Sequence, residues 1–183
     1  MPNLCVFCGS SPGHDPVFAD AARTIGRLLV ERGWGLVYGG GHVGMMGTLA
    51  DAVQAQGGAV TGVIPRTLLQ RELAHPGIED LRVVDSMHER KALMAELADA
   101  FLALPGGYGT LDELFEIVTW AQLGLHAKSI GLLNTAGFFT PLLNWIDAAI
   151  AHGFIPSRQG RLLQVGADPA ELLKRLMQSG PEA

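Results

Sequence analysis

Apolar positions along this chain fall into two alternating patterns. The runs "NLCVFC", "GLVYGG", "AVTGVIP", "LRVVD", "AFLALPG", "SIGLLN" and "RLLQVG" are mostly continuous in apolar residues, without a polar residue at every second place. Strands buried on both faces of a parallel sheet read this way. Between the runs lie "VFADAARTIGRLLVERG", "GMMGTLADAVQAQGG", "MHERKALMAELA", "TLDELFEIVTWAQLG" and "FFTPLLNWIDAAIAHG", and "DPAELLKRLMQ" follows the last. Their apolar residues recur at helical spacing, and several end in Gly, as helices often do. Strand and helix therefore alternate from end to end, with no repeat and no linker. The pattern predicts an α/β, Rossmann-like doubly wound sheet, mostly parallel, with helices on both faces, formed as one domain over residues 1–183.

Composition narrows the picture. The chain's 183 residues suffice for one well-buried domain, and 48% hydrophobic against 17% charged residues describe a globular protein. A net charge of −5 with no basic run argues against broad nucleic-acid or anionic-membrane partners. The N-terminus lacks the basic start and apolar run of a signal peptide, and no apolar stretch approaches the roughly 20 residues of a membrane span, so a cytoplasmic location is expected. Cys5 and Cys8 lie three apart in the first strand and point to opposite faces, so they read as buried, reduced thiols.

In doubly wound sheets ligands sit beyond the carboxyl ends of the strands, where three Gly-rich pieces fall: "CGSSPG", "GGGHVGMMG" and "PGGYGT". The segment Gly39 to Gly44 matches G-x-G-x-x-G, but it follows the second strand. The next strand ends in Pro65 and Arg66, where a dinucleotide site needs an acid for the ribose, so NAD is not expected. Its glycines fit a tight turn and close helix packing, with a minor ligand contact at Gly40. "PGGYGTLDE", Pro105 to Glu113, is the stronger candidate, since amides of a Gly-rich turn and a helix start converge on phosphate. Without the Lys-Ser/Thr of an ATPase loop, it suits a monophosphate. Thr110-x-x-Glu113 also spells a capping box, so Glu113 has both a structural and a chemical reading.

"MHERKALM" sets Arg90 and Lys91 near a helix start, where the dipole disfavours cations; a ligand phosphate or a carboxylate such as Glu113 would explain them. Ser10 reads equally as a ligand contact and as a turn residue. His42 and His88 lack metal-site spacing and read as surface or supporting residues, so no metal is expected.

Together, "CGSS", "VYGGGHVGMMG", "GVIP", "MHERKALM", "ALPGGYGTLDELFE" and "TWAQLG" resemble the LOG (Lonely Guy) family over nearly the whole chain. These are cytokinin riboside 5′-monophosphate phosphoribohydrolases, formerly labelled lysine decarboxylase-like. A pyridoxal phosphate enzyme needs a Schiff-base Lys and a pyridinium partner, and neither Lys91, Lys128 nor Lys174 lies in such a constellation. The resemblance implies hydrolysis of the N-glycosidic bond of adenosine 5′-monophosphates, plain or N6-prenylated, without cofactor or metal. It implies Glu113 and Arg90 as catalytic residues. It makes Gly106, Gly107, Gly109 and Thr110 the grip on the 5′-phosphate, and Ser10, Gly40, Met87 and Lys91 further substrate contacts. The family often has Pro at Ser129, a minor departure. It also implies a homodimer, in keeping with the apolar circumference of "ELFEIVTWAQLGLH" with Phe115, Trp120 and Leu123. The rival is a nucleotide carrier or sensor of the same fold that binds without cleaving.

Overall fold

The computed structural model describes residues 1–69, 74–160 and 162–178. Its seven strands are β1 (Asn3–Phe7), β2 (Gly35–Tyr38), β3 (Val60–Pro65), β4 (Asp80–Val84), β5 (Ala100–Ala103), β6 (Ile130–Leu133) and β7 (Leu163–Gly166). Each expected run holds one of them. Arg161, which opens the seventh run, lies outside the described residues. The helices are α1 (Pro16–Glu31), α2 (Gly44–Gln54), α3 (Met87–Leu97), α4 (Tyr108–Gln122), α5 (Thr140–Ala151) and α6 (Pro169–Gln178).

All strands pair in parallel, in the order β4-β3-β2-β1-β5-β6-β7. The chain winds outward from β1 in one direction, then returns to β1's other side and winds the other way. That makes a doubly wound Rossmann-like sheet, reversing between β1 and β5. Phe7 lies opposite Ala103 there, and the Gly9 amide donates to the Pro105 carbonyl at 3.2 Å. Two strands leave in opposite senses at this point, so a crevice opens beyond their carboxyl ends.

Pleating divides the core. Leu4, Val6 and Cys8 pack on one face with Ile25 and Leu29 of α1, Leu49 and Val53 of α2, and Leu172 and Leu176 of α6. Cys5 and Phe7 pack on the other with Met94 of α3, and Leu114 and Ile117 of α4. The two thiols therefore lie on opposite faces, both buried and unbridged. No described helix is long and apolar enough to cross a membrane.

Local sequence explains where several helices begin. Asp15 caps α1, its carboxylate accepting from the Val17 amide at 2.9 Å, and Pro16 fills the first turn. Ser86 caps α3 by accepting from the Glu89 amide at 3.1 Å, while Glu89 reaches back to the Asp85 amide at 3.0 Å. Asp168 accepts from the Glu171 amide at the start of α6. Three helices break this rule: α2, α4 and α5 have Val43, Gly107 and Phe139 as their cap residues, with no side-chain cap bond.

Candidate active site

Of these three, α2 and α4 start at the crevice between β1 and β5. A cavity of about 210 Å³ opens there, lined from β1 and its loop by Val6, Cys8, Gly9 and Ser10, and from α3 by Met87 and Arg90. The start of α4 supplies Gly107, Tyr108, Gly109, Thr110 and Glu113, and Gly39, Met46 and Leu68 complete the wall. An apolar cleft of about 270 Å³ adjoins it, sharing Gly9, Ser10 and Gly107 and adding Gly106, Phe18 and Phe138. A wider groove between α1 and α2 holds none of the residues singled out from the sequence.

The helix start settles the capping question. α4 begins at Tyr108, two residues earlier than the sequence reading, with Gly107 as its cap residue and its first bond running from the Leu111 amide to the Gly107 carbonyl. Thr110 is thus the third helical residue and Glu113 lies a turn further in, so the pair cannot form a capping box. Thr110 is buried against Gly106, where an added Cβ would overlap its hydroxyl and stand 2.8 Å from the Gly9 nitrogen. The amides of the first turn, not satisfied by a side chain, face the cavity with the positive end of the helix dipole.

Arg90 is 4% exposed. Its guanidinium donates to the Gly39 carbonyl at 2.8 Å and contacts the Met87 sulfur at 3.8 Å. A Cβ on Gly39 would overlap that guanidinium, so this glycine is the slot Arg90 lies in. The negative field of Glu113 reaches the floor of the cavity. Burial pushes the Cys8 thiol far above its ordinary range, and the Glu113 carboxylate raises it further. Cys5, behind the same strand, is raised for the same two reasons, in the same order, and lowered by Arg90. Glu113 and Arg90 line one cavity.

Ser10, Met87, Arg90, Gly107, Gly109, Thr110 and Glu113 all line the cavity, and Gly106 lines the adjoining cleft. Two residues sit elsewhere. Lys91 pairs across to α4 with Asp112 at 3.1 Å and Glu116 at 3.2 Å; burial lowers its pKa, and the bonds to Asp112 and Glu116 outweigh that and raise it overall. Gly40, at φ 76°, is turned away; its position faces Ile64 and Leu81, and its carbonyl accepts from the His75 amide. The glycine on the cavity is Gly39. Sequence reasoning also missed Tyr108, 95% exposed on the rim, and Leu68, which arrives from the connection after β3 with no motif to mark it.

By sequence His42 is a surface or supporting residue without metal spacing. The fold instead brings it beside Asp51 and His75, with all three ligand atoms within 4.8 Å of one another. His88 is exposed.

A helix start without a side-chain cap, a carboxylate and a buried guanidinium meet at the switch point of a Rossmann-like sheet. Residues 46–176 match the family model described as "Possible lysine decarboxylase". The chain is 50% identical over 98% of its length to the rice (Oryza sativa subsp. japonica) cytokinin riboside 5′-monophosphate phosphoribohydrolase LOG, covering 74% of it. A phosphoribohydrolase of the same kind from Arabidopsis thaliana is also 50% identical, with 98% of this chain and 82% of the relative covered. The chain belongs to the LOG family of cytokinin riboside 5′-monophosphate phosphoribohydrolases. Among solved structures, the molybdenum cofactor binding protein of Rippkaea orientalis superposes with a TM-score of 0.73 at 20% identity, covering 98% of this chain and 96% of that one. The Moco carrier protein of Chlamydomonas reinhardtii does so equally well, at 97% and 96% coverage. At this identity the likeness is one of fold.

Proposed function

We propose that this protein hydrolyses the N-glycosidic bond of adenosine 5′-monophosphates, plain or N6-substituted, releasing the free base and ribose 5-phosphate. The observation that carries the reading is the meeting of Glu113, Arg90 and the uncapped start of α4 in one cavity. The 5′-phosphate accepts from the amides at Gly107 to Thr110, with the Thr110 hydroxyl and Ser10 beside them. That anchors the ribose with C1′ toward Glu113. As the bond from C1′ to the base breaks, the bonding pair leaves with the base and positive charge develops on the sugar. The Glu113 carboxylate stabilises that charge and takes a proton from the water that attacks C1′. Arg90 stays protonated, so its task is to hold the carboxylate and substrate oxygens in place rather than to protonate the base. The departing base takes up a proton from solvent while Glu113 returns to solvent the one it took from the attacking water, so the step balances without a cofactor or metal.

The second reading, a nucleotide carrier or sensor, has a specific observation behind it, since carriers of another ligand share the fold. A carboxylate in an anion's pocket counts against it, because it repels the ligand unless it serves a step in which positive charge appears. Incubation with AMP and with an N6-prenylated AMP, followed by chromatography, separates the two. Free base and ribose 5-phosphate in equal amounts are expected; bound but intact nucleotide would leave the carrier reading.

The working form in this reading is a cytoplasmic homodimer. Leu123 and Leu125 after α4, Trp145 on α5 and Phe154 beyond it are all more than half exposed, and Phe115 stacks edge-on against Trp145 at 6.0 Å. A second copy would cover this apolar band, which runs back along α4 toward Tyr108 at the cavity rim.

A further inference from the structure

The cluster His42, Asp51 and His75 takes no part in the glycosidic reaction. We propose that it is a binding site for a divalent transition-metal ion of the zinc type. His42 lies in the loop before α2, Asp51 on α2, and His75 in the connection between β3 and β4, a spread that leaves no sequence motif.

The geometry is close to a ligand set already. His75 Nε2 stands 3.0 Å from Asp51 Oδ1, the two imidazole rings meet edge-on with centroids 4.7 Å apart, and all three ligand atoms lie within 4.8 Å of one another. Tetrahedral ligand atoms about 2.1 Å from zinc lie about 3.4 Å apart, so the widest pair needs to close by at most about 1.4 Å. His42 is exposed and the Asp51 side chain is 60% exposed, so both can make that adjustment, and the ion has a path from solvent. The His75 side chain, 4% exposed, is the fixed member. Two imidazoles and one carboxylate suit zinc, nickel, cobalt or copper; magnesium and calcium prefer a fuller oxygen shell. The fourth position falls to water.

The proton balance can be stated. A backbone amide only donates, so the Gly77 amide, 3.2 Å from His75 Nδ1, fixes that nitrogen as an acceptor. The neutral ring then carries its proton on Nε2, directed at Asp51. An ion on Nε2 displaces that proton, the ring is reprotonated on Nδ1, and the Gly77 contact is given up. Binding thus exchanges two hydrogen bonds, one to Asp51 and one from the Gly77 amide, for three ligand bonds.

Binding has a structural consequence. The connection carrying His75 also carries Leu68 to the cavity wall, and it is already tied to its neighbours by the Gly41–Ala74 bridge and by Gln54 donating to the Gly77 carbonyl. A bound ion cross-links the connection to α2 and stiffens that wall.

The test is calorimetric titration of chelator-treated protein with zinc chloride near neutral pH, beside melting curves with zinc and with magnesium. One zinc per chain is expected, with a raised melting temperature that magnesium does not reproduce. His42→Ala, at an exposed position that leaves the fold intact, should weaken zinc binding by about tenfold or more. Lowering the pH to about 5.5 should weaken it as well, because protonated imidazoles do not ligate. Failure of the wild-type protein to bind zinc stoichiometrically overturns the proposal, as does equal affinity in His42→Ala.

Discussion

A buried guanidinium needs acceptors for its protons, and at Arg90 the structure supplies one by omitting a side chain. Gly39 leaves the space, and its carbonyl takes a hydrogen bond at 2.8 Å. Lysine cannot reproduce this, because one ammonium on a flexible stem replaces a planar fork. Arg90→Lys should lower kcat/KM for AMP by roughly 10². It should cost about 1–3 kcal/mol of stability through the partly abandoned Gly39 carbonyl. Steady-state kinetics and a thermal melt measure both, and full activity in the variant would remove Arg90 from the site's working parts. The sequence left Arg90 and Lys91 open between a ligand anion and a carboxylate, and the structure gives Lys91 two carboxylates. Adjacent helical residues do not share a face, so Lys91 is carried to Asp112 and Glu116 while Arg90 enters the cavity. Gly39 and Gly40 differ by a similar single step. Both read as members of one Gly-rich loop, and only the backbone turn at Gly40 decides which one faces the cavity.

Helix starts distinguish structural motifs from functional ones. Ser86-x-x-Glu89 and Thr110-x-x-Glu113 are the same pattern in sequence, yet only the first acts as a cap, with Glu89 reaching back to the Asp85 amide. The second fails because the preceding glycines let the helix begin at Tyr108, which moves Thr110 and Glu113 inside it. Propensity alone could not show this, since Gly107 caps a helix as readily as Thr. The consequence is an open set of amides at α4, and the phosphate prediction belongs to this helix. Adenosine forfeits charge-assisted hydrogen bonds worth about 1.5–3 kcal/mol each, so losing two should reduce kcat/KM by roughly 10²–10⁴ relative to AMP. Comparable rates for adenosine and AMP would show that α4 does not hold the phosphate.

At the scale of the whole molecule, the order β4-β3-β2-β1-β5-β6-β7 places the loops after β1 and β5 side by side although their residues are far apart in sequence. Alternating strand and helix patterns made the doubly wound class legible, because both-face burial leaves continuous apolar runs. What they left unmarked were contacts between distant loops, such as Leu68 on the cavity wall and His75 beside His42. The apolar band over α4 and α5 leads to a prediction about assembly. Light scattering should give twice the 19.4 kDa chain mass, and Leu123→Glu should shift it toward one chain. A monomeric wild-type protein at micromolar concentration would contradict the dimer. The central claim is that the cavity at the switch point cleaves its nucleotide through the Glu113 carboxylate, and Glu113→Gln with AMP tests it most directly. The amide keeps the shape but neither stabilises a ribosyl cation nor takes a proton from water. The predicted result is a variant with unchanged melting temperature and AMP binding whose kcat has fallen by roughly 10² or more. Near-normal turnover by Glu113→Gln would contradict the account.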